Sequence, residues 1–276
     1  MLDAIVIGAG PAGASAAINL HQRGKTVRIY YTGEGKLSYA ERVDNYLGFP
    51  EVNGGEITKA FRAHVEAQGI EMIREKVLNI VPLGDHFMVN AGQDIVEARR
   101  VILAIGSQSN RMFPGEQALL GRGVSYCATC DGMLYRGKKV AVLGLSKEAA
   151  EEANFLHRLG VSVLFLSKGD ASGLDEEIER RTLTEVSIVG DERVCALLVG
   201  GEELPVDGVF VLRDSIAPTA MITGLAVEKG FVKVNEKMKT NITGLYAAGD
   251  CTGAPFQAMK AAGEGQIAGL EAGSER

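Results

Sequence analysis

The segment LDAIVIGAGPAGASAAINLHQRGKTVRIYY (2–31) narrows the fold more than any other stretch. Its opening run, 2–7, is apolar apart from Asp3, rich in β-branched residues and without helical period, which predicts a buried parallel strand. Gly8, Gly10 and Gly13 follow in the spacing G-x-G-x-x-G, then a helix-forming run and a second strand over 26–31. The glycines alone say little, but strand, turn, helix and strand within about 30 residues is the context a dinucleotide turn needs. Gly8 permits the tight turn, Gly10 lets a pyrophosphate approach the backbone, and Gly13 lets the helix pack on the strand. The N-terminus of the following helix offers N–H groups and the positive end of its dipole to the phosphates. The acid expected about 20 residues on, for a ribose hydroxyl, is missing. Tyr31 stands near that place, where it either stacks on an adenine or packs on the sheet edge.

Glycines at the ends of further apolar runs, 35 in a chain of 276, extend the pattern of tight βα turns and predict an α/β protein. The length suits two domains. A net charge of −6 argues against general nucleic-acid binding, and no apolar run reaches the 18 residues of a membrane helix. The N-terminus enters a β-type run at once, so no signal peptide is expected and the cytoplasm is the expected compartment.

A second candidate turn lies in VAVLGLSKEAAEEANFL (140–156), where an apolar run ends in Gly144 and a helix follows. Leu145 and Ser146 occupy positions where a phosphate turn wants small residues, and Lys147 and Glu148 come next. Shortly before it, VSYCATCDGML (124–134) holds Cys127, Cys130 and Asp131. Cys-x-x-Cys reads as a redox dithiol, half a zinc site or a buried structural pair. A zinc site needs four ligands, whereas Cys195 and Cys251 are solitary and the four histidines show no ligand pairing, so no metal is expected. A redox pair would exchange by thiolate attack on a partner disulfide, with Asp131 as general acid for the leaving thiolate or as a helix N-cap.

Three stretches resemble the flavoprotein disulfide reductases, in the family's order along the chain. TNITGLYAAGDCTGAPFQAMKAAGEGQIAG (240–269) resembles the closing strand-Gly-Asp and helix, VILAIGS (101–107) the Ala-Thr-Gly strand, and VDNYLGFP (43–50) the Glu-Asn-Tyr-Pro-Gly-Phe stretch. The resemblance implies FAD at the first turn, contacted by Gly8, Gly10, Pro11, Ala12, Gly13, Tyr31, Asn45, Gly106, Asp250, Gln257 and Ala258. Lys36 stands where the family's Gly-Gly-Gln-Leu has Gln, and Val77, in REKVLNIV (74–81), where a strand meets the adenine through its backbone.

Cys-Ala-Thr-Cys-Asp closely resembles the low-molecular-weight thioredoxin reductases. That implies two Rossmann-like three-layer domains: a discontinuous FAD domain, 1–112 and 236–276, with an inserted redox domain, 113–235. It further implies Cys130 facing the flavin, Cys127 attacking thioredoxin, and a homodimer. The family's NADPH turn, Gly-Gly-Gly-Asp-Ser-Ala-x-Glu-Glu-Ala, matches here only in its helix half, from Ala149 to Ala153. Phe165, Leu166 and Ser167 stand where the family has His-Arg-Arg for the 2′-phosphate, and they cannot replace bidentate guanidinium contacts. The chain therefore resembles the ferredoxin-dependent flavin thioredoxin reductases. Arg111, Arg122, Arg136, Lys138 and Lys139 form a basic stretch suited to an acidic ferredoxin or to thioredoxin, and equally read as a solvated face. A dithiol oxidase using O₂, a diflavin-linked disulfide oxidoreductase and a flavin-binding sensor module remain as alternatives.

Overall fold

The computed structural model describes residues 1–92, 94–106, 112–169, 171–213 and 217–275. The chain forms two compact units, Met1–Ser109 with Ala217–Arg276, and Asn110–Ile216.

The first unit opens as the glycine pattern predicts. Strand β1 (Leu2–Ile7) leads through the turn into helix α1 (Pro11–His21) and then β2 (Val27–Tyr31). β2 begins one residue later than expected, because Thr26 is engaged with Asp3. The Thr26 N–H and hydroxyl both donate to Asp3 Oδ2 at 2.8 Å, and the Asp3 N–H donates to Thr26 Oγ1. Helix α2 (Gly54–Ala67) is capped by Asn53, whose Oδ1 accepts the Gly55 N–H at 2.7 Å. Strands β3 (Glu71–Arg74), β4 (Val77–Pro82), β5 (Phe87–Ala91) and β6 (Asp94–Leu103) complete the first segment.

The second unit runs through β7 (Val124–Ser125), a short helix α3 (Ala128–Asp131), β8 (Lys139–Gly144), α4 (Ala149–Arg158), β9 (Ser162–Ser167) and β10 (Glu179–Thr182). Strands β11 (Val186–Gly190), β12 (Val194–Val199), β13 (Glu202–Pro205) and β14 (Gly208–Leu212) follow. One sheet is wholly parallel, in the order β10-β9-β8-β14-β7, and β11-β12-β13 form a separate antiparallel sheet. Val140, Val142, Phe165, Phe210 and Leu212 from the parallel sheet pack with Ala149, Ala153 and Leu156 of α4 as this unit's core.

The chain re-enters the first unit at α5 (Pro218–Met221), then β15 (Val227–Glu228), β16 (Phe231–Val232), β17 (Leu245–Ala247) and α6 (Ala258–Ser274). The sheet there runs β3-β2-β1-β6-β5-β4. The first half of β6 pairs antiparallel with β5 and its last residues pair parallel with β17, so the parallel Rossmann layer is β3-β2-β1-β6-β17. Re-entry at Ala217 precedes the 235/236 boundary drawn from the sequence. The reason is local packing: α5 lies on β4, and Phe231 stacks against Phe256 with ring centroids 5.9 Å apart.

Helices α1 and α6 pack closely because both are built from small residues. A Cβ at Gly265 would overlap the Ala12 carbonyl, and one at Gly269 the Ala16 carbonyl. Ala12, Ala16, Ala261 and Ala268 fill the rest of this seam.

Candidate active site

In the first unit the glycine turn has the form a dinucleotide requires. Gly8 sits at φ +109°, and a Cβ on it would overlap the Ala104 carbonyl; a Cβ on Gly13 would overlap Gly8's own carbonyl. Gly10 is different. Nothing lies within 4 Å of where its Cβ would be, and as N-cap of α1 it supplies no side-chain cap. Beside this bare glycine stand the first-turn N–H groups of Ala12 and Gly13, Pro11 at the first helical position having none to give, the arrangement that receives a pyrophosphate. Gly106, at φ +70°, likewise has open space at its Cβ direction.

The returning segment adds polar groups. Asp250 follows Gly249, held at φ +87°, and is half-buried; burial pushes its carboxyl above the usual aspartate range, while the ammonium groups of Lys260 and Lys36 draw it back. A half-buried carboxylate of this kind calls for hydroxyl donors, such as a ribityl chain carries. Lys260 and Glu264, neither anticipated from the sequence, brace this turn. Lys260 Nζ donates to the Gly249 and Gly253 carbonyls at 3.0 and 2.8 Å and pairs with Glu264 Oε2 at 3.0 Å. Glu264 in turn accepts the Gly249 N–H at 2.8 Å. Their i,i+4 spacing on α6 was the available signal.

Asn45 and Gln257, 212 residues apart in sequence, meet through a 2.7 Å hydrogen bond from Asn45 Nδ2 to Gln257 Oε1, and Ala258 begins α6 beside them. Lys36 opens a 3₁₀ turn, Lys36–Tyr39. Val77 is buried at the start of β4, paired with Ala91. Of the two tyrosines ending β2, Tyr30 is buried in the core and Tyr31 carries the Arg62 guanidinium 5.0 Å from its ring centroid. Arg62 also pairs with Glu34 at 2.6 Å, so an acid does stand near the end of β2, three residues beyond Tyr31. The residues present fit FAD.

In the second unit Cys127 and Cys130 form a disulfide across α3, with Cα atoms 5.4 Å apart. Cys127 is half-buried and acts as N-cap of α3, its Sγ accepting the Cys130 N–H at 3.2 Å and lying 3.4 Å from Thr129 Oγ1. Asp131 Oδ2 accepts the hydroxyl of buried Ser125 at 2.6 Å. Glu152 of α4 accepts the Ala128 N–H at 3.3 Å. Next along the chain from Cys127, Tyr126 donates its hydroxyl to Oε1 of fully buried Glu116, whose Oε2 accepts both Arg213 Nη2 and the Phe113 N–H, all at 2.8–2.9 Å. The sequence offered no sign of Ser125, Glu116 or Arg213, each a single polar residue in an apolar or turn context.

The second turn is built otherwise than the first. A Cβ on Gly144 would overlap the ring of buried Phe165, so this glycine makes room for a side chain. The Leu145 N–H is engaged by the Leu212 carbonyl at 2.8 Å, and α4 begins only at Ala149, after a Ser146-Lys147-Glu148 turn. Leu166 is buried and Ser167 bonds the Gly169 carbonyl. Arg122, Arg136, Lys138 and Lys139 are exposed; Arg111 lies outside the described residues. Among the described residues no helix is long and apolar enough to cross a membrane.

Comparison with known proteins fits this geometry. Residues 2–265 match the family described as pyridine nucleotide-disulphide oxidoreductase. The chain is 31% identical to a thioredoxin reductase of Bacillus subtilis over 96% of its length and 92% of that protein's. It is 35% identical to one from Mycolicibacterium smegmatis, over 98% and 95%. Two crystal structures of a ferredoxin-flavin thioredoxin reductase from Clostridium acetobutylicum superpose with TM-scores of 0.91 and 0.85 at 40% and 45% identity. They cover 98% and 99% of this chain and 96% of each of those. With a dinucleotide turn, a second Rossmann-like unit and a Cys-x-x-Cys disulfide in place, the chain belongs to the pyridine nucleotide-disulphide oxidoreductase family, as an FAD-binding flavoprotein disulfide reductase of the thioredoxin reductase type.

Proposed function

We propose that this reductase takes its electrons from reduced ferredoxin instead of NADPH and passes them through Cys127–Cys130 to thioredoxin. The observation that carries the choice of donor is Phe165 packed on Gly144. The one glycine kept from the second turn serves a buried ring, while Leu145, Ser146 and Glu148 bring side chains and a negative charge to the phosphate side. The same packing weighs against a second flavin there. The exposed cations Arg122, Arg136, Lys138 and Lys139 suit an acidic donor or partner. Likeness to a ferredoxin-flavin thioredoxin reductase supports the reading.

FAD would be held through its pyrophosphate by Gly8, Gly10, Pro11, Ala12 and Gly13, with Tyr31 and Val77 toward the adenosine. Lys36, Asn45, Gly106, Asp250, Gln257 and Ala258 would meet the remainder. When bound, FAD supplies a carrier able to accept electrons singly and hand on a pair. The chain's own groups do the thiol chemistry. Once the disulfide is opened by two electrons, a Cys127 thiolate that kept the Cys130 N–H would have a charge-assisted donor, which supports Cys127 as the nucleophile. Its Sγ bonds to one sulfur of the partner disulfide, and the other partner sulfur leaves and takes a proton from Asp131. Cys130 then attacks Cys127 Sγ through its own Sγ and gives up its thiol proton to the second partner sulfur as that sulfur leaves, restoring the intramolecular disulfide. Two electrons and two protons have then moved to the partner. By family resemblance the working form is a homodimer in the cytoplasm.

The test is anaerobic bleaching of the flavin absorbance with NADPH, NADH or reduced ferredoxin offered separately. Bleaching by ferredoxin alone, reversed by oxidised thioredoxin, is the expected result; rapid bleaching by NADPH would overturn the choice of donor.

A further inference from the structure

Ser125 ends β7 with its side chain buried, and its Oγ meets three groups around the cysteine pair. It lies 2.6 Å from Asp131 Oδ2 and 3.2 Å from the Cys127 carbonyl, and it accepts the Cys127 N–H at 3.1 Å. A serine hydroxyl has one proton to give and two lone pairs to receive with. While Asp131 is a carboxylate, Ser125 donates to it and accepts the Cys127 N–H. When Asp131 carries a proton the sense reverses: the carboxylic acid donates to Ser125 Oγ, and the serine proton turns to the Cys127 carbonyl. Every polar group keeps a partner in both states.

We infer that Ser125 is a positioning residue that holds Asp131 beside the dithiol in both protonation states and ties the acid to the backbone of Cys127. This rests on the reading of Asp131 as the proton donor. A group that loses and regains a proton in each cycle needs a neighbour that both accepts and donates, and a buried hydroxyl is the smallest such neighbour. The other titratable groups around Asp131 are the cysteines themselves, Glu152 of α4 at the Ala128 N–H, and Tyr135 of the following turn. Burial, then the charge of Asp131, pushes the Tyr135 phenol upward.

The experiment uses full-length, FAD-loaded protein reduced chemically beforehand, so that the donor's identity does not enter. Single-turnover reduction of thioredoxin is followed against pH for the parent, Ser125→Ala, Ser125→Thr and Asp131→Asn. FAD content and thiol count serve as checks of folding. Loss of the hydroxyl removes a donor to the carboxylate, which disfavours the charged form, so the alkaline limb of the Ser125→Ala profile moves up by about one pH unit. Its rate falls about tenfold at unchanged KM, and Ser125→Thr restores both. An unmoved limb in Ser125→Ala, with Asp131→Asn impaired, overturns the role of Ser125 and leaves that of Asp131 standing. An unimpaired Asp131→Asn overturns the proton donor itself, and this inference with it. Should Ser125→Ala fail to keep its FAD, Ser125→Gly carries the same comparison.

Discussion

The buried carboxylate of Glu116 should be the costliest single group to remove from the second unit. Its two oxygens take three donors: the Tyr126 hydroxyl at 2.9 Å, the Phe113 N–H at 2.9 Å and Arg213 Nη2 at 2.8 Å. Glu116 is fully buried and the Arg213 side chain is 9% exposed, so water cannot replace the lost carboxylate. Removing one member of a buried ion pair costs about 3–5 kcal/mol, chiefly because the other charge stays in low dielectric. Burying the Tyr126 hydroxyl without its acceptor costs about 1–3 kcal/mol, part of the same reorganisation. We therefore expect Glu116→Ala to destabilise the second unit by about 4 kcal/mol, and Glu116→Gln by about half of that, since an amide oxygen still accepts from Tyr126. The paired change Glu116→Leu with Arg213→Met should recover most of the loss, because no charge is left buried. The chain has no tryptophan, so global fluorescence is a poor probe. Hydrogen exchange read by mass spectrometry resolves the units instead, comparing peptides over 139–144 and 208–212 with one over 2–7. A cost under about 1 kcal/mol for Glu116→Ala, or an equal effect in both units, would refute the reasoning.

Three further outcomes follow from the same geometry. With the Cys127–Cys130 disulfide intact, a thiol reagent at about pH 8 should label Cys195 quickly and leave Cys251 untouched until denaturation. Burial pushes the Cys251 thiol up to about 12, and it is packed beneath the Ala248 and Leu103 carbonyls. Two fast thiols before reduction would contradict this. Gly265→Ala should drive α1 from α6 through the Ala12 carbonyl, lowering stability by about 1–3 kcal/mol in thermal unfolding and weakening FAD binding with it. Asp250→Asn should flatten the pH dependence of the flavin-free protein. Burial raises the folded-state pKa of this acid, so the folded form holds the proton more tightly. Stability is then greatest at low pH and is lost as pH climbs from the usual aspartate value through the raised one. The same variant should bind FAD about tenfold or more weakly in a fluorescence titration.

What could be read from the sequence was whatever repeats or is spaced by rule. The bounds of β1 and the conformational need at Gly8 follow from an apolar run and three glycines, whereas α1 starts at Pro11, ahead of the helix-forming run that begins at Ala14, and Asn45 and Gln257 could be assigned to the flavin only through family resemblance. Ser125, Glu116 and Arg213 were invisible for a physical reason: one polar residue in an apolar run becomes informative only when its partner is known, and the partners lie 6 and 97 residues away. The two turns show the limit most directly. Both read as strand, glycine and helix, and both first glycines are obligatory, since a Cβ on Gly8 meets a neighbouring carbonyl and one on Gly144 meets the Phe165 ring. The difference lies two residues on. Gly10 borders open space at an uncapped helix start, whereas Ser146 enters a turn that delays the helix to Ala149. A glycine is thus kept wherever its missing Cβ is needed, whether by a phosphate or by a phenyl ring, and only the space around it tells which.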